Sequence, residues 1–269
     1  MTAELLAIDI GNTAVKLGWF TRLAQVRRGT LPEPLDTQDI TLRDGLPEWP
    51  TEGPLAGPLP AIPWFVTSVN RPATEVCQRW VDLGCATSWR LLDYRDVPLK
   101  VRVDEPARVG LDRLATAVAA DWLRDPQRPA IVVDAGTALK VHVVTAAGEF
   151  SGGAILPGFR LASEALHIQT DLLPQIPVTT NDAPPAVVGR NTAAAIRSGI
   201  YWGAVGAVRE LIGRIRRELP AEPQVFITGG DARGLASLID HDTRFVPHLC
   251  LAGIALIARH VQPSANSAP

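Results

Sequence analysis

An aspartate, a Gly-Asn-Thr bend and a lysine stand together in Asp9-Ile10-Gly11-Asn12-Thr13-Ala14-Val15-Lys16, between an apolar run that begins at Leu5 and one that ends at Phe20. These residue types suit a phosphate. Glycine lets the backbone approach a ligand closely, Asn and Thr supply donors, and the lysine is a point charge of the sign a phosphate needs. Asp9 suits a phosphate-bound Mg²⁺ or its water shell. A Gly-Asn bend between apolar runs is also what an ordinary β-hairpin requires, so this stretch alone leaves both readings open. A second copy adds weight to the chemical one: Asp134-Ala135-Gly136-Thr137-Ala138-Leu139-Lys140 repeats the pattern with one residue deleted, again between apolar runs. Two phosphate-type turns facing one another across a cleft are what a nucleotide-dependent phosphotransferase needs.

A third candidate is Gly110-Leu111-Asp112-Arg113, at the head of an Ala-rich stretch. Asp is a good helix N-cap and Gly a good turn residue, which alone accounts for the pair. The chemical reading makes Asp112 a general base and Arg113 an anion clamp, and both readings hold together. Thr228-Gly229-Gly230 closes another apolar run. It is either a plain strand-to-helix corner or a backbone cradle for a nucleotide.

Hydrophobic period gives the elements that must position these residues. Leu5 to Phe20 reads as strand, turn and antiparallel strand, with a further short strand at Val26 to Gly29. Eight prolines between Leu31 and Pro63 disfavour regular structure, so loop is expected there, with one short helix near Asp39 to Leu46. Pro63 to Val69 reads as a buried strand, Ala73 to Leu83 as a helix, and Arg90 to Leu92 and Leu99 to Val103 as strands. The second half repeats the plan. Ile131 to Val144 is strand, turn and strand, Glu149 begins a third strand, and Phe159 to Thr170 is a helix with Leu161, Ala165, Leu166 and Ile168 as its inner face. Asn191 to Leu219 is the strongest helical region, and Gly199, Gly203 and Gly206 on one face imply a close helix approach, within a dimer interface or across the domains. Val225 to Thr228 reads as a strand and His248 to Leu256 as a closing helix. The duplicated plan implies two domains, 1–113 and 114–262, with a disordered tail over 263–269.

Composition excludes several classes of function. Of 269 residues, 46% are hydrophobic and 20% charged, an ordinary globular mix. A net charge of −2 and a pI near 6.2 argue against a nucleic-acid surface. Arg27-Arg28 and Arg214-Arg216-Arg217 read as solvated faces. No apolar run reaches the roughly 18 residues of a membrane span, and the first apolar run enters the Asp9 turn instead of a cleavage site, so a cytoplasmic protein is expected. Cys77, Cys85 and Cys250 have no metal-binding spacing and read as small core residues.

Taken together, the motifs resemble type III pantothenate kinases, the Bvg accessory factor family of the acetate and sugar kinase/actin superfamily. They come in that family's order over about residues 4 to 260: Asp-x-Gly-Asn-Thr-x-x-Lys, Gly-x-Asp-Arg, Asp-x-Gly-Thr, Gly-Gly-x-Ile-x-Pro-Gly, Gly-x-Asn-Thr and Thr-Gly-Gly. The resemblance implies an α/β fold of two RNase H-like (actin-like ATPase) domains, with mixed sheets flanked by helices and a cleft between them. It also implies a homodimer and ATP-dependent phosphorylation of pantothenate, the first step of coenzyme A synthesis. By the same resemblance, Asp9 to Lys16 and Thr137 hold ATP with its Mg²⁺, Gly110, Leu111, Asp112, Arg113 and Thr192 bind pantothenate, and Asp112 accepts the proton. Asp134 is assigned a monovalent cation, potassium or ammonium. The chain departs from the family pattern at Val103, where a tyrosine is usual, and at Lys140-Val141-His142, where Thr-x-Asp is usual. The lysine brings a positive charge close to the cation position. Two other readings use the same residues: a family member without catalysis that binds or regulates, and a kinase of another small metabolite.

Overall fold

The computed structural model describes residues 3–48, 62–81, 87–180, 183–239 and 242–262. Each copy of the duplicated hairpin lies inside its own mixed sheet, and the chain divides into two compact units. One comprises residues 1–123 and 249–269, the other residues 124–248.

In the first unit β1 (Leu5–Ile10) lies between antiparallel β2 (Ala14–Phe20) and parallel β4 (Pro63–Ser68). The edges are β3 (Asp36–Thr41) and β5 (Ser88–Leu91), giving the order β3-β2-β1-β4-β5; a two-residue strand, β6 (Lys100–Val101), comes later in the chain. Alternation divides the sheet's two faces. Leu6, Ile8 and Ile10 form a core with Ala73, Cys77 and Trp80 of α1 (Arg71–Trp80). Leu5, Ala7 and Asp9 take the opposite face, over which α6 (Leu249–Val261) lies against β1, β2 and β4. Gly18, opposite Ala7 in register, marks that contact, since a Cβ there would stand 3.2 Å from Leu251 Cδ1. Helix α6 is apolar on nearly every side and accordingly buried. It runs against α2 (Leu111–Leu123), and the two backbones meet so closely that a Cβ at Gly253 would overlap the Ala115 carbonyl. This packing explains why the compact units divide after Leu123 and rejoin at Leu249, where the repeat pattern implied one boundary after Arg113.

The second unit orders its strands β11-β10-β7-β8-β9. These are β7 (Ala130–Ala135), β8 (Ala138–Val144), β9 (Glu149–Pro157), β10 (Gln224–Thr228) and β11 (Arg244–Phe245). Ile131, Val133, Ala135, Leu139 and Val141 pack on Tyr201, Val205, Val208 and Ile212 of α4 (Thr192–Glu218) and on Leu235 and Ile239 of α5 (Ala232–Ile239). Asp134 and Lys140 therefore project from the other face of the sheet.

Several expectations change. Val26 to Gly29 is not a strand but part of a turn after a 3₁₀ segment at Leu23–Gln25; the Gly29 N–H donates to the Trp122 carbonyl at 2.9 Å, and Gly29 has φ 87°. The Arg28 guanidinium is tied to the Asp121 carboxylate at 3.0 Å, so that part of the basic pair is not merely solvated. No helix covers Asp39 to Leu46; β3 pairs with β2 there, and its single buried apolar residue, Ile40, left no readable period. Helix α3 (Phe159–Ile168) buries Phe159 and Ser163 and exposes Leu161, Leu166 and Ile168, the face expected inward. Along α4, a Cβ on Gly199, Gly203 or Gly206 would meet nothing within 4 Å among the described residues, so these glycines make no close helix approach within the chain, whereas Gly253 does. Leu83, Cys85 and the tail over 263–269 lie outside the described residues.

Candidate active site

In the first unit, the register sets Asp9 directly opposite Lys16 and Ile10 opposite Val15. Gly11 closes the bend by donating its N–H to the Ala14 carbonyl at 3.0 Å, and a Cβ at Gly11 would stand 3.1 Å from that oxygen. Asn12 is exposed, while Thr13, Asp9 and Lys16 are half-buried. The Thr13 carbonyl accepts from Leu42 N–H at 3.0 Å, which fixes the far side of the turn to the end of β3. Donors and one cation are thus held on a rigid hairpin.

Strand β4 ties this turn to the Gly-x-Asp-Arg segment. Thr67, fully buried and opposite Asp9 in the parallel register, donates its hydroxyl to Asp9 Oδ1 at 3.1 Å. Asn70 Nδ2 donates to the Gly11 carbonyl at 3.4 Å, and Asn70 Oδ1 caps α1 by accepting from Ala73 N–H at 3.1 Å. The next residue back, Val69, borders the other motif: a Cβ on Gly110 would lie 3.5 Å from Val69 Cγ1 and only 2.5 Å from Asp112 Oδ1. Asp112 sits in the first turn of α2, where the helix dipole favours an anion, and Oδ1 accepts from Arg113 N–H at 2.9 Å. Its side chain is largely buried. Burial pushes the Arg113 guanidinium below its usual range, and the charge of Asp112 opposes that shift. A buried carboxylate on a helix N-terminus, beside a half-buried arginine, can accept a proton and hold an anion.

The second unit repeats the hairpin faithfully. Asp134 faces Lys140, Ala135 faces Leu139, and Gly136 N–H donates to the Ala138 carbonyl at 3.2 Å. Thr228 lies opposite Asp134 on parallel β10, as Thr67 lies opposite Asp9 on β4. Each aspartate therefore has a lysine on its antiparallel neighbour and a threonine on its parallel one. Two glycine corners pack on this turn. A side chain at Gly158 would overlap the Gly136 and Thr137 carbonyls, and one at Gly229 would overlap that of Ala135. Thr137 is half-buried. Thr192 is exposed at the start of α4, where Asn191 Oδ1 accepts from Ala194 N–H at 2.8 Å. His142 is fully buried against Phe150, with ring centroids 5.6 Å apart.

A charged contact is made in the second copy. Lys140 Nζ donates to Asp134 Oδ2 at 2.8 Å, with the two side chains 17% and 15% exposed. The carboxylate to which a monovalent cation was assigned is thus already engaged by an ammonium, and these residues do not fit a second monocation at the same oxygen. A single half-buried carboxylate at Asp9 does fit a Mg²⁺ carried mainly by phosphates and water. Among the described residues no group of three or more His, Cys, Asp or Glu forms a metal site. Cys77 is buried, and burial pushes its thiol up to about 12, as expected of a core residue.

Thr67 and Asn70 carried no role in the sequence, and Thr228 was read only as part of the Thr-Gly-Gly corner, not as the counterpart of Thr67. The signal was present: Phe65-Val66-Thr67-Ser68 and Phe226-Ile227-Thr228-Gly229 are themselves a repeat, an apolar strand ending in threonine and a small residue.

A sequence model of the family described as type III pantothenate kinase matches residues 5–214. Type III pantothenate kinase 1 of Symbiobacterium thermophilum is 37% identical over 273 residues, covering 94% of this chain and 95% of the relative. The type III pantothenate kinase of Dehalococcoides mccartyi is 32% identical over 271 residues, covering 96% and 98%. Among solved structures, a protein assigned as a 2-dehydro-3-deoxygalactonokinase from Sinorhizobium meliloti superposes with a TM-score of 0.55 at 14% identity, over 97% of this chain and 100% of that one. That likeness carries the fold alone. The chain belongs to the type III pantothenate kinase family.

Proposed function

We propose that this chain phosphorylates pantothenate at the expense of ATP, opening coenzyme A synthesis, with Asp112 as general base. The observation that carries the proposal is the linkage, within one unit, of a phosphate-type hairpin and a buried carboxylate in the first turn of α2 through the end of β4. Phosphoryl transfer asks mainly for positioning and charge neutralisation. The Gly11, Asn12 and Thr13 backbone and Lys16 take the ATP phosphates, and Asp9, oriented by Thr67, would hold a Mg²⁺ that would neutralise phosphate charge. Thr137 is assigned to ATP and Thr192 to pantothenate on the family resemblance. Asp112 removes the proton of the pantothenate hydroxyl as its oxygen bonds to the γ-phosphorus. The bond from that phosphorus to the bridging oxygen breaks, and ADP leaves. Arg113 pairs with the substrate carboxylate.

A homodimer formed through the second unit belongs to the same proposal. Ile168, Leu172, Val187 and Val188 are each more than two-thirds exposed, and the glycines along α4 leave its surface open to close contact. Exposed apolar side chains mark an association surface where they are contiguous. Among the described residues no helix is long and apolar enough to cross a membrane; a cytoplasmic location is proposed from the resemblance.

The test is product analysis. Purified chain, ATP, Mg²⁺ and pantothenate should yield ADP and phosphopantothenate in equal amounts by mass spectrometry. ADP release that ignores pantothenate and responds to another small alcohol would favour the other metabolite-kinase reading, and none at all would favour a non-catalytic member.

A further inference from the structure

The two aspartates occupy equivalent places in the two units. Asp9 Oδ1 accepts from a neutral hydroxyl, that of Thr67. Asp134 Oδ2 accepts from a full positive charge, the Lys140 ammonium at 2.8 Å. That is a charge-assisted hydrogen bond, and it forms where both side chains are mostly withdrawn from water. The strand register holds the lysine there, because β8 places Lys140 directly across from Asp134. An alkylammonium carries the same unit charge as potassium or ammonium and offers three N–H donors. A soluble monocation at this carboxylate must either displace a tethered one or sit within a few ångströms of a like charge.

We propose that Lys140 is a built-in monovalent cation, so that this chain works without the soluble potassium or ammonium ion its family resemblance implies. Asp134 and Lys140 together form a neutral, ordered pair beside the Gly136-Thr137 turn. The role rests on the kinase proposal above, as Lys140 acts on turnover through Asp134 and the turn. It is a positioning residue, not a catalytic one.

The test is turnover at fixed ionic strength in chlorides of potassium, ammonium, sodium and tetramethylammonium. Wild-type rates should agree within about twofold. A tenfold or greater requirement for potassium or ammonium overturns the proposal, and needs no variant to show it. Lys140→Ala opens the site and should lose at least tenfold in tetramethylammonium chloride, with recovery by potassium, ammonium or methylammonium. Full activity of Lys140→Ala in tetramethylammonium, or a folded variant that no cation rescues, overturns it as well. If wild type shows no turnover in any salt, the kinase proposal has failed and melting decides the cation separately. The wild-type Tm should then be equal in potassium and tetramethylammonium chloride, while that of Lys140→Ala rises by several degrees in potassium. A wild-type Tm that rises in potassium overturns the built-in cation.

Discussion

At the scale of single residues, the chemistry depends on how a few carboxylates are held. Asp9 is oriented by a buried threonine, and Thr67→Val should remove that hydroxyl donor from Asp9 Oδ1. The loss of one such hydrogen bond is worth about 1 kcal/mol. ATP affinity should fall several-fold in calorimetric titration, and an unchanged affinity would show that Thr67 serves only the core. Lys16 contributes a point charge, and Lys16→Met should weaken ATP binding by tenfold or more in the same titration while leaving the fold intact by circular dichroism. Most of these residues were legible in the sequence, because phosphate turns use a restricted set of types in a short span. Thr67 and Asn70 were not, nor was the pairing of Thr228 with Asp134, since these depend on which strand lies beside which. The Lys140 contact was half legible: the charge could be read, but its 2.8 Å contact with Asp134 depends on the side chains meeting across the paired strands, which spacing alone does not show.

At the scale of elements, two glycines set the position of α2. Gly110 leaves room for the Asp112 carboxylate, 2.5 Å from where a Cβ would stand. Gly110→Ala should therefore displace Asp112 and lower kcat by about tenfold or more with little loss of stability, as misplacement of a reacting group does. At the other end of the packing, Gly253 lets α6 touch the Ala115 carbonyl. Overpacking of this kind costs about 1–3 kcal/mol. Gly253→Ala should lower Tm by several degrees in calorimetry, and an unchanged Tm would mean that the helices separate at no cost. Long periodic elements such as α4 and the duplicated hairpins could be read directly from apolar spacing. Strand β3 could not, because it is an edge strand with one buried residue among polar neighbours. The inward face expected of α3 failed for a related reason: apolar period shows that a helix has an apolar face, but not what covers it.

At the scale of the whole molecule, the family match over residues 5–214 agrees with the duplication that the two sheets make visible. What the sequence did not disclose was the return of the closing helix to the first unit, a long-range packing choice made by α2 and α6. The exposed apolar residues of the second unit lead to a prediction at this scale. Ile168→Glu combined with Val188→Glu should convert a dimer to a monomer in sedimentation, whereas a wild-type chain that sediments as a monomer at micromolar concentration would contradict the proposed association. The central claim is the chemistry at Asp112, and one comparison tests it most directly: steady-state phosphorylation of pantothenate by the wild type and by Asp112→Asn, with ATP affinity measured for both. Loss of a general base predicts a kcat lower by about 10²–10⁴ at unchanged ATP affinity. Equal kcat values for the two proteins would contradict the account.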